Sequence, residues 1–308
     1  EAPRLRCACI DLDAAPINAT AALLCRELLA DSPENQVAYR AGQRRVARLV
    51  RFTADAALTR RPAAPGEAFR LTTTAPGILD HLTLTAAERV PPAPDQVEIR
   101  VHSAGLNFLD VLTALGLRPD QEGADPILGM ECAGTVTRVG SAVVGLRSGD
   151  EVLAVAPHSL GAYTVTQAEL VVRKPPALGF ADAATLPIAY LTAYYALHTL
   201  GRIHRGERIL IHAAAGGVGL AAIHLALAAG AEIYATAGSP EKRAYLQQLG
   251  IQNVLDSRSL DFADEVMART NGVGVDLVLN SLAGEVIPRS LALLRANGRF
   301  LEIGKRDI

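Results

Sequence analysis

The order of hydrophobic patterns along the chain predicts an α/β protein, with a doubly wound parallel sheet joined to a barrel-like, β-rich domain. Three observations carry that expectation. From about residue 181 onward, short apolar runs alternate with helix-length segments, as in a parallel sheet with crossover helices. From 69 to about 180, short strands of period two are separated by turns instead. Residues 207–219 read as a buried strand running into a glycine turn and then into a small-residue helix.

Residues 1–52 differ from the rest. A strand is predicted at 5–12 and an amphipathic helix at 20–30, with Leu24 and Leu28 on one face. Residues 31–35 break that helix, and 36–50 mix arginines with a few apolar residues. So small a set of elements cannot close a core alone. Residues 1–52 are therefore expected to be the tail of a neighbouring domain, with 53–67 as a linker. The β-rich domain is expected over 68–185, with strands at 96–101, 134–139 and 150–155 and a proline-rich turn at 91–95. The α/β domain follows over 186–308. Its strands are expected at 209–212, 232–236, 253–255, 275–280 and 299–303, and its helices at 218–229, 240–249, 262–270 and 284–294.

The turn at Gly216, Gly217, Val218 and Gly219 is the most specific local signal. Backbone N–H groups at a helix N-terminus can approach a pyrophosphate there, and the helix dipole favours its charge. A side chain at any of the three glycines is expected to obstruct that ligand or to separate helix from sheet. The turn follows a strand and opens a helix, so a dinucleotide site is expected. NAD-binding chains usually place an acid about 20 residues further on, against the ribose hydroxyls. Here no carboxylate ends the second strand, while Ser239, Lys242 and Arg243 follow it and Arg258 lies past the third. Hydroxyl and cationic donors suit a 2′-phosphate, so NADPH is expected over NADH. The alternative is that Lys242 and Arg243 only solvate the first turn of a helix.

Composition excludes several classes. A formal net charge of −2, no Trp and 4% aromatics argue against a nucleic-acid surface. No apolar run reaches the ~18 residues of a membrane span, and no signal-peptide pattern opens the sequence, so a cytoplasmic protein is expected. The four cysteines, Cys7, Cys9, Cys25 and Cys132, form no metal or disulfide pattern and are expected to be reduced and mostly buried. The seven histidines are scattered, and none lies near Glu131 and Cys132 at zinc-ligand spacing. No metal is expected.

Residues 104–112, running through Asn107 and Asp110, pair with the glycine turn in a pattern that resembles the zinc-free, quinone-reductase-like branch of the medium-chain reductases. Three further stretches narrow the resemblance: 191–197 around Thr192, 278–284 around Asn280, Ser281 and Leu282, and 298–305 around Ile303 and Gly304. Together these resemble the enoylreductase domain of type I polyketide synthases and animal-type fatty acid synthases. The resemblance implies a GroES-like substrate domain beside a Rossmann domain. It implies NADPH-dependent reduction of an α,β-unsaturated thioester carried by the phosphopantetheine of an acyl carrier protein. It also implies that Asn107, Thr192, Asn280, Ser281, Leu282, Ile303 and Gly304 line the cofactor site. Zinc-containing relatives carry a histidine where this chain has Met130. Residues 33–40 and 45–50 resemble the end of the structural half of a polyketide ketoreductase, which implies ketoreductase and other synthase domains as neighbours. In that family a final segment returns after the nucleotide domain to complete the substrate domain, and it is expected to lie beyond Ile308.

For proton delivery the resemblance points to Lys242 and Asp261. Lys242 is also the natural 2′-phosphate partner, and both roles are open. Asn107 is open between a place at the nicotinamide or acyl carbonyl and an Asx-type turn before the next helix. A tyrosine of many polyketide enoylreductases is here Arg118. Two other readings compete: a free-standing quinone or alkenal reductase, and a non-catalytic scaffold.

Overall fold

The structure is a computed structural model. It describes residues 9–304, apart from 13–16, 31, 33, 41, 47–66, 74 and 119–125. The chain divides into two compact units, Glu1–Pro62 and Ala63–Ile308.

In the first unit, β1 (Cys9–Leu12) and β2 (Gln36–Arg40) pair in parallel, and α1 (Ile17–Leu29) makes the crossover. A parallel pair requires such a connection. The arginine-rich stretch is ordered as β3 (Gln43–Val46), antiparallel to β2. Tyr39 and Val37 are buried, and the Tyr39 hydroxyl donates to Glu27, which also accepts both ends of the Arg44 fork. The guanidinium holds the Glu27 carboxyl down at about 2. Of the expected apolar face of α1, Leu24 is half-buried, whereas Leu28 is 75% exposed among the described residues. Cys9 and Cys25 are exposed as well, which corrects the expectation of mostly buried thiols; only Cys132 is buried, and Cys7 lies outside the described residues.

The second unit opens with the hairpin β4 (Phe69–Thr73) and β5 (Leu82–Ala86). Five antiparallel strands follow: β6 (Gln96–Gly105), β7 (Glu131–Val139), β8 (Glu151–Val155), β9 (Tyr163–Gln167) and β10 (Val171–Arg173). They pair in the order β10-β8-β7-β6-β9. Alternate residues from neighbouring strands build its core, with Val97, Ile99, Cys132, Val136, Val152 and Ala154 on one face. Helix α2 (Phe108–Ala114) sits between β6 and β7, and α3 (Phe180–Ala183) and α4 (Pro187–Tyr194) lead out of the sheet.

The remaining strands are all parallel: β11 (Arg208–Ile211), β12 (Glu232–Ala237), β13 (Asn253–Asp256), β14 (Val275–Asn280) and β15 (Leu294–Glu302). Their order is β13-β12-β11-β14-β15, so the chain reverses direction across the sheet between β11 and β14. The connecting helices are α5 (Gly217–Ala229), α6 (Pro240–Gln248), α7 (Phe262–Arg269) and α8 (Val286–Leu291). Helix α5 buries Ile223 together with Ala221, Ala222 and Ala226, small residues that let it lie close to the strands, and Gly230 ends it in the left-handed conformation. One expectation fails in extent. The last helix stops at Leu291, not 294, because β15 begins at Leu294 and bulges through Asn297 and Gly298 before its main register.

Candidate active site

In a doubly wound sheet a ligand binds outside the carboxyl ends of the strands, at the point where strand order reverses. The glycine turn follows β11 at that point. Its three glycines have different reasons to be there. A Cβ on Gly219 would lie 2.6 Å from Ala213 O and from two Ala214 backbone atoms, so this residue sets how closely α5 sits on its turn. A Cβ on Gly217 would meet only Ala189, at 4.0 Å, and one on Gly216 only the Ala213 carbonyl, at 3.2 Å. Of the two reasons expected for a bare glycine, close packing of the helix accounts for Gly219, whereas Gly216 and Gly217 leave the outer surface of the turn open. The first N–H groups of α5 have no intrahelical acceptor and face that surface. The left-handed residue of the turn is Ala213, at φ 47°.

Beneath the turn, His212 is buried. Its Nδ1 lies 2.9 Å from Thr236 Oγ1, its Nε2 lies 2.8 Å from Ser290 Oγ, and its ring meets Phe262 edge-on. Burial pushes this imidazole down to about 4. It is a satisfied core histidine.

After β12, Ser239 caps α6 by accepting the Lys242 backbone N–H. The Lys242 side chain is exposed, and among the described residues it makes no ion pair. Arg243 is committed elsewhere, to the Ala237 carbonyl at 3.1 Å and to Asp256 at 2.9 Å. Arg258 is exposed, and its Nε lies 3.3 Å from where a Gly238 Cβ would be, so the bare glycine gives the guanidinium its place. Asp261 is exposed at the start of α7, its N–H bonded to Ser259 Oγ. Both it and Lys242 are among the described residues, and no hydrogen bond or ion pair joins them.

On the far side of the reversal point, Asn280 is fully buried and ties two loops together. Its Nδ2 donates to Leu282 O at 2.7 Å and to Glu302 Oε2 at 2.6 Å, and its Oδ1 accepts from Leu282 N. Glu302 in turn accepts the Gly304 N–H, and Ile303 N donates to Asn280 O. Ser281, Leu282, Ile303 and Gly304 are held in place this way, with the Asn280 amide spent on holding them.

The wall nearest α4 is built by two buried carboxylates. Asp110 accepts the Asn107 backbone N–H at 2.8 Å and the Gly129 N–H at 2.7 Å. Gly129 is left-handed, and a Cβ there would collide with the Leu160 backbone nitrogen. Asn107 is the N-cap of α2, so the local turn is real, yet its side chain does not serve that turn alone: Nδ2 donates to Glu131 Oε1 at 2.8 Å. Glu131 also accepts the Ile188 N–H, in the first turn of α4, at 2.8 Å. Thr192 is half-buried, one turn further along that helix. Sequence reasoning weighed Glu131 only as a metal ligand and missed this position. Arg118 is half-buried just beyond α2.

Residues 93–193 match the family model described as "Alcohol dehydrogenase GroES-like domain", and 217–307 match "Zinc-binding dehydrogenase". The chain is 48% identical over 299 residues to a phenolphthiocerol/phthiocerol polyketide synthase of Mycobacterium tuberculosis, covering 93% of this chain and 14% of that protein. Among solved structures it is similar to the CurK enoyl reductase, at 49% identity and a TM-score of 0.76, over 79% of this chain and 75% of that one. It belongs to the polyketide synthase enoyl reductases. A quinone oxidoreductase of Escherichia coli, solved as a complex with NADPH, shares the fold more distantly, at 30% identity and a TM-score of 0.70, over 78% of this chain and 74% of that one. The expected family and two-domain fold class both stand. This enoyl reductase chain spans only about a seventh of the synthase it matches. A zinc site, as one family description suggests, does not fit its described residues, since no three His, Cys, Asp or Glu side chains converge. Among those residues no helix is long and apolar enough to cross a membrane.

Proposed function

We propose that this enoyl reductase takes NADPH and reduces the α,β-double bond of an enoyl thioester presented on the phosphopantetheine of an acyl carrier protein. What carries the reading is a pairing within one compact unit. A bare glycine turn, flanked by the exposed cations Lys242 and Arg258, accompanies a buried wall that presents Asn107. The nicotinamide cofactor supplies hydride when bound. The chain's own residues bind, orient and polarise.

Unpaired N–H groups at the start of α5 receive the pyrophosphate, with Gly216 and Gly217 admitting it. The first half of a doubly wound sheet takes the adenosine side, with ribose contacts at the end of its second strand. Lys242 stands there and Arg258 after the next strand, which favours a 2′-phosphate contact for both. That position also favours anchoring over proton delivery for Lys242. Asp261, after β13, lies on the same side of the reversal point, away from β14 and β15. The loops tied by Asn280 border the nicotinamide half. Hydride addition at the β-carbon builds enolate charge on the thioester oxygen. The second Nδ2 hydrogen of Asn107 is the donor assigned to that oxygen.

Residues 1–52 are read as part of a neighbouring ketoreductase-like domain in a multidomain synthase, which the uncovered Leu28 and Leu29 on α1 support. Turnover of crotonyl-type thioesters by the full-length protein, compared with quinones and with NADPH against NADH, tests the function. Preference for quinones, or equal use of the two cofactors, would overturn it.

A further inference from the structure

Glu131 is a carboxylate that the chemistry above leaves without a task, and its surroundings are costly to build. It opens β7, is 4% exposed, and accepts one hydrogen bond on each oxygen, from Asn107 Nδ2 and from Ile188 N. Its place exists only because residue 105 is glycine: a Cβ there would collide with Oε1 and lie 2.6 Å from the carboxyl carbon. Burial pushes its carboxyl up, and the nearby Asp110 charge adds to this, while the two N–H donors pull the other way. Both partners are donors, so an ionised carboxylate with two acceptors is the group that satisfies them. The two partners belong to different parts of the site. Asn107 follows β6 in the substrate wall, and Ile188 lies in the first turn of α4, whose Ala189 Cβ is 4.0 Å from where a Gly217 Cβ would be.

We infer that Glu131 is a positioning residue for the reduction: it pins the Asn107 amide to the N-terminus of α4, so that the donor for the acyl oxygen keeps a fixed spacing from the glycine turn. This rests on the reading of Asn107 as that donor. The isosteric Glu131→Gln offers a single acceptor and turns an NH2 toward one of two N–H groups, so one of the bonds is lost. Displacing the donor by a fraction of its bond length lowers turnover without weakening ground-state binding to match.

The test uses the full-length protein. With a crotonyl thioester and NADPH, Glu131→Gln is expected to lose roughly 10- to 100-fold in kcat, while KM for NADPH stays within about twofold. Amide exchange at Ile188 should speed up by about tenfold or more. Combining Glu131→Gln with Asn107→Ala should cost little beyond Asn107→Ala alone, because the two act as a unit. Unchanged kcat in Glu131→Gln, or losses that add fully with Asn107→Ala, overturns the inference. A measurement on the wild type keeps it falsifiable if the variant does not fold. The Asn107 side-chain amide, observed by asparagine-selective 15N labelling, must show one hydrogen protected from exchange, and fast exchange of both overturns the tie. Should the wild type fail to reduce enoyl thioesters, the functional reading falls, and the amide protection still decides whether Glu131 holds Asn107.

Discussion

The two walls of the site are built in opposite ways. Around Asn107, every strong acceptor already has its donor: Asp110 takes two backbone N–H groups, and Glu131 takes one amide and one more backbone N–H. Around the glycine turn, the outer surfaces of Gly216 and Gly217 are bare, and Lys242 and Arg258 reach solvent without an ion-pair partner among the described residues. A satisfied wall holds geometry, whereas an unsatisfied one waits for a ligand to complete it. The difference fits a division of labour in which the substrate side is set before binding and the phosphate side gains its hydrogen bonds from the cofactor.

The largest effect is expected under the turn, where the open surface rests on a sealed floor. His212 is held neutral down to about pH 4, whereas an unfolded chain protonates it near 6.5. The unfolded state therefore binds the extra proton first. Stability is full above about pH 6.5 and falls as the pH drops towards 4, by about 2 kcal/mol at pH 5 and about 3 in full. Urea midpoints at pH 7 and pH 5 read this directly, and a His212→Gln variant should lose most of the slope. A slope unchanged in that variant would assign it to other groups.

Next in size is the open wall itself. Removing both exposed cations in Lys242→Ala with Arg258→Ala should weaken NADPH binding by roughly 2 kcal/mol, about 30-fold, and leave NADH binding nearly unchanged. Titration calorimetry with the two cofactors separates these outcomes. An equal loss for both would mean that the cations do not meet the 2′-phosphate.

The glycines sharpen the contrast within one turn. Gly219→Ala must push against the Ala213 and Ala214 backbone and should cost about 1–2 kcal/mol of stability, seen as a lower thermal midpoint. Gly217→Ala meets no backbone and places a better helix former in the first turn of α5, so its stability should change by less than about 1 kcal/mol. Its NADPH affinity should nonetheless fall. If Gly217→Ala proved the more destabilising of the two, the assignment of their separate roles would be reversed.

Much of the nucleotide side was legible in the sequence because its signals are local. A strand, a glycine turn and a small-residue helix occupy consecutive positions, and the change of hydrophobic period marks where the parallel sheet begins. The end of the last helix differs from expectation because Leu293 and Leu294 fit either period, and only pairing with Val275 draws Leu294 into β15. The substrate wall was less legible because its logic is non-local. Glu131 lies 24 residues from Asn107 and 57 from Ile188, and nothing in its own neighbourhood announces either partner. The committed state of Arg243 depends likewise on Asp256, across a strand boundary. Leu28 illustrates the reverse case: its apolar periodicity was plain, but among the described residues nothing covers it, and it stays 75% exposed.

Gly105 and Glu131 face each other across β6 and β7, and the room for one is the absence of the other's neighbouring atom. These two positions are therefore not free to drift separately. A relative that acquires any side chain at the first would have to shift, shorten or lose the carboxylate at the second, and with it the brace on Asn107. Among related reductases the pair should change together or not at all, so that the identity of residue 105 alone forecasts how the asparagine loop is anchored.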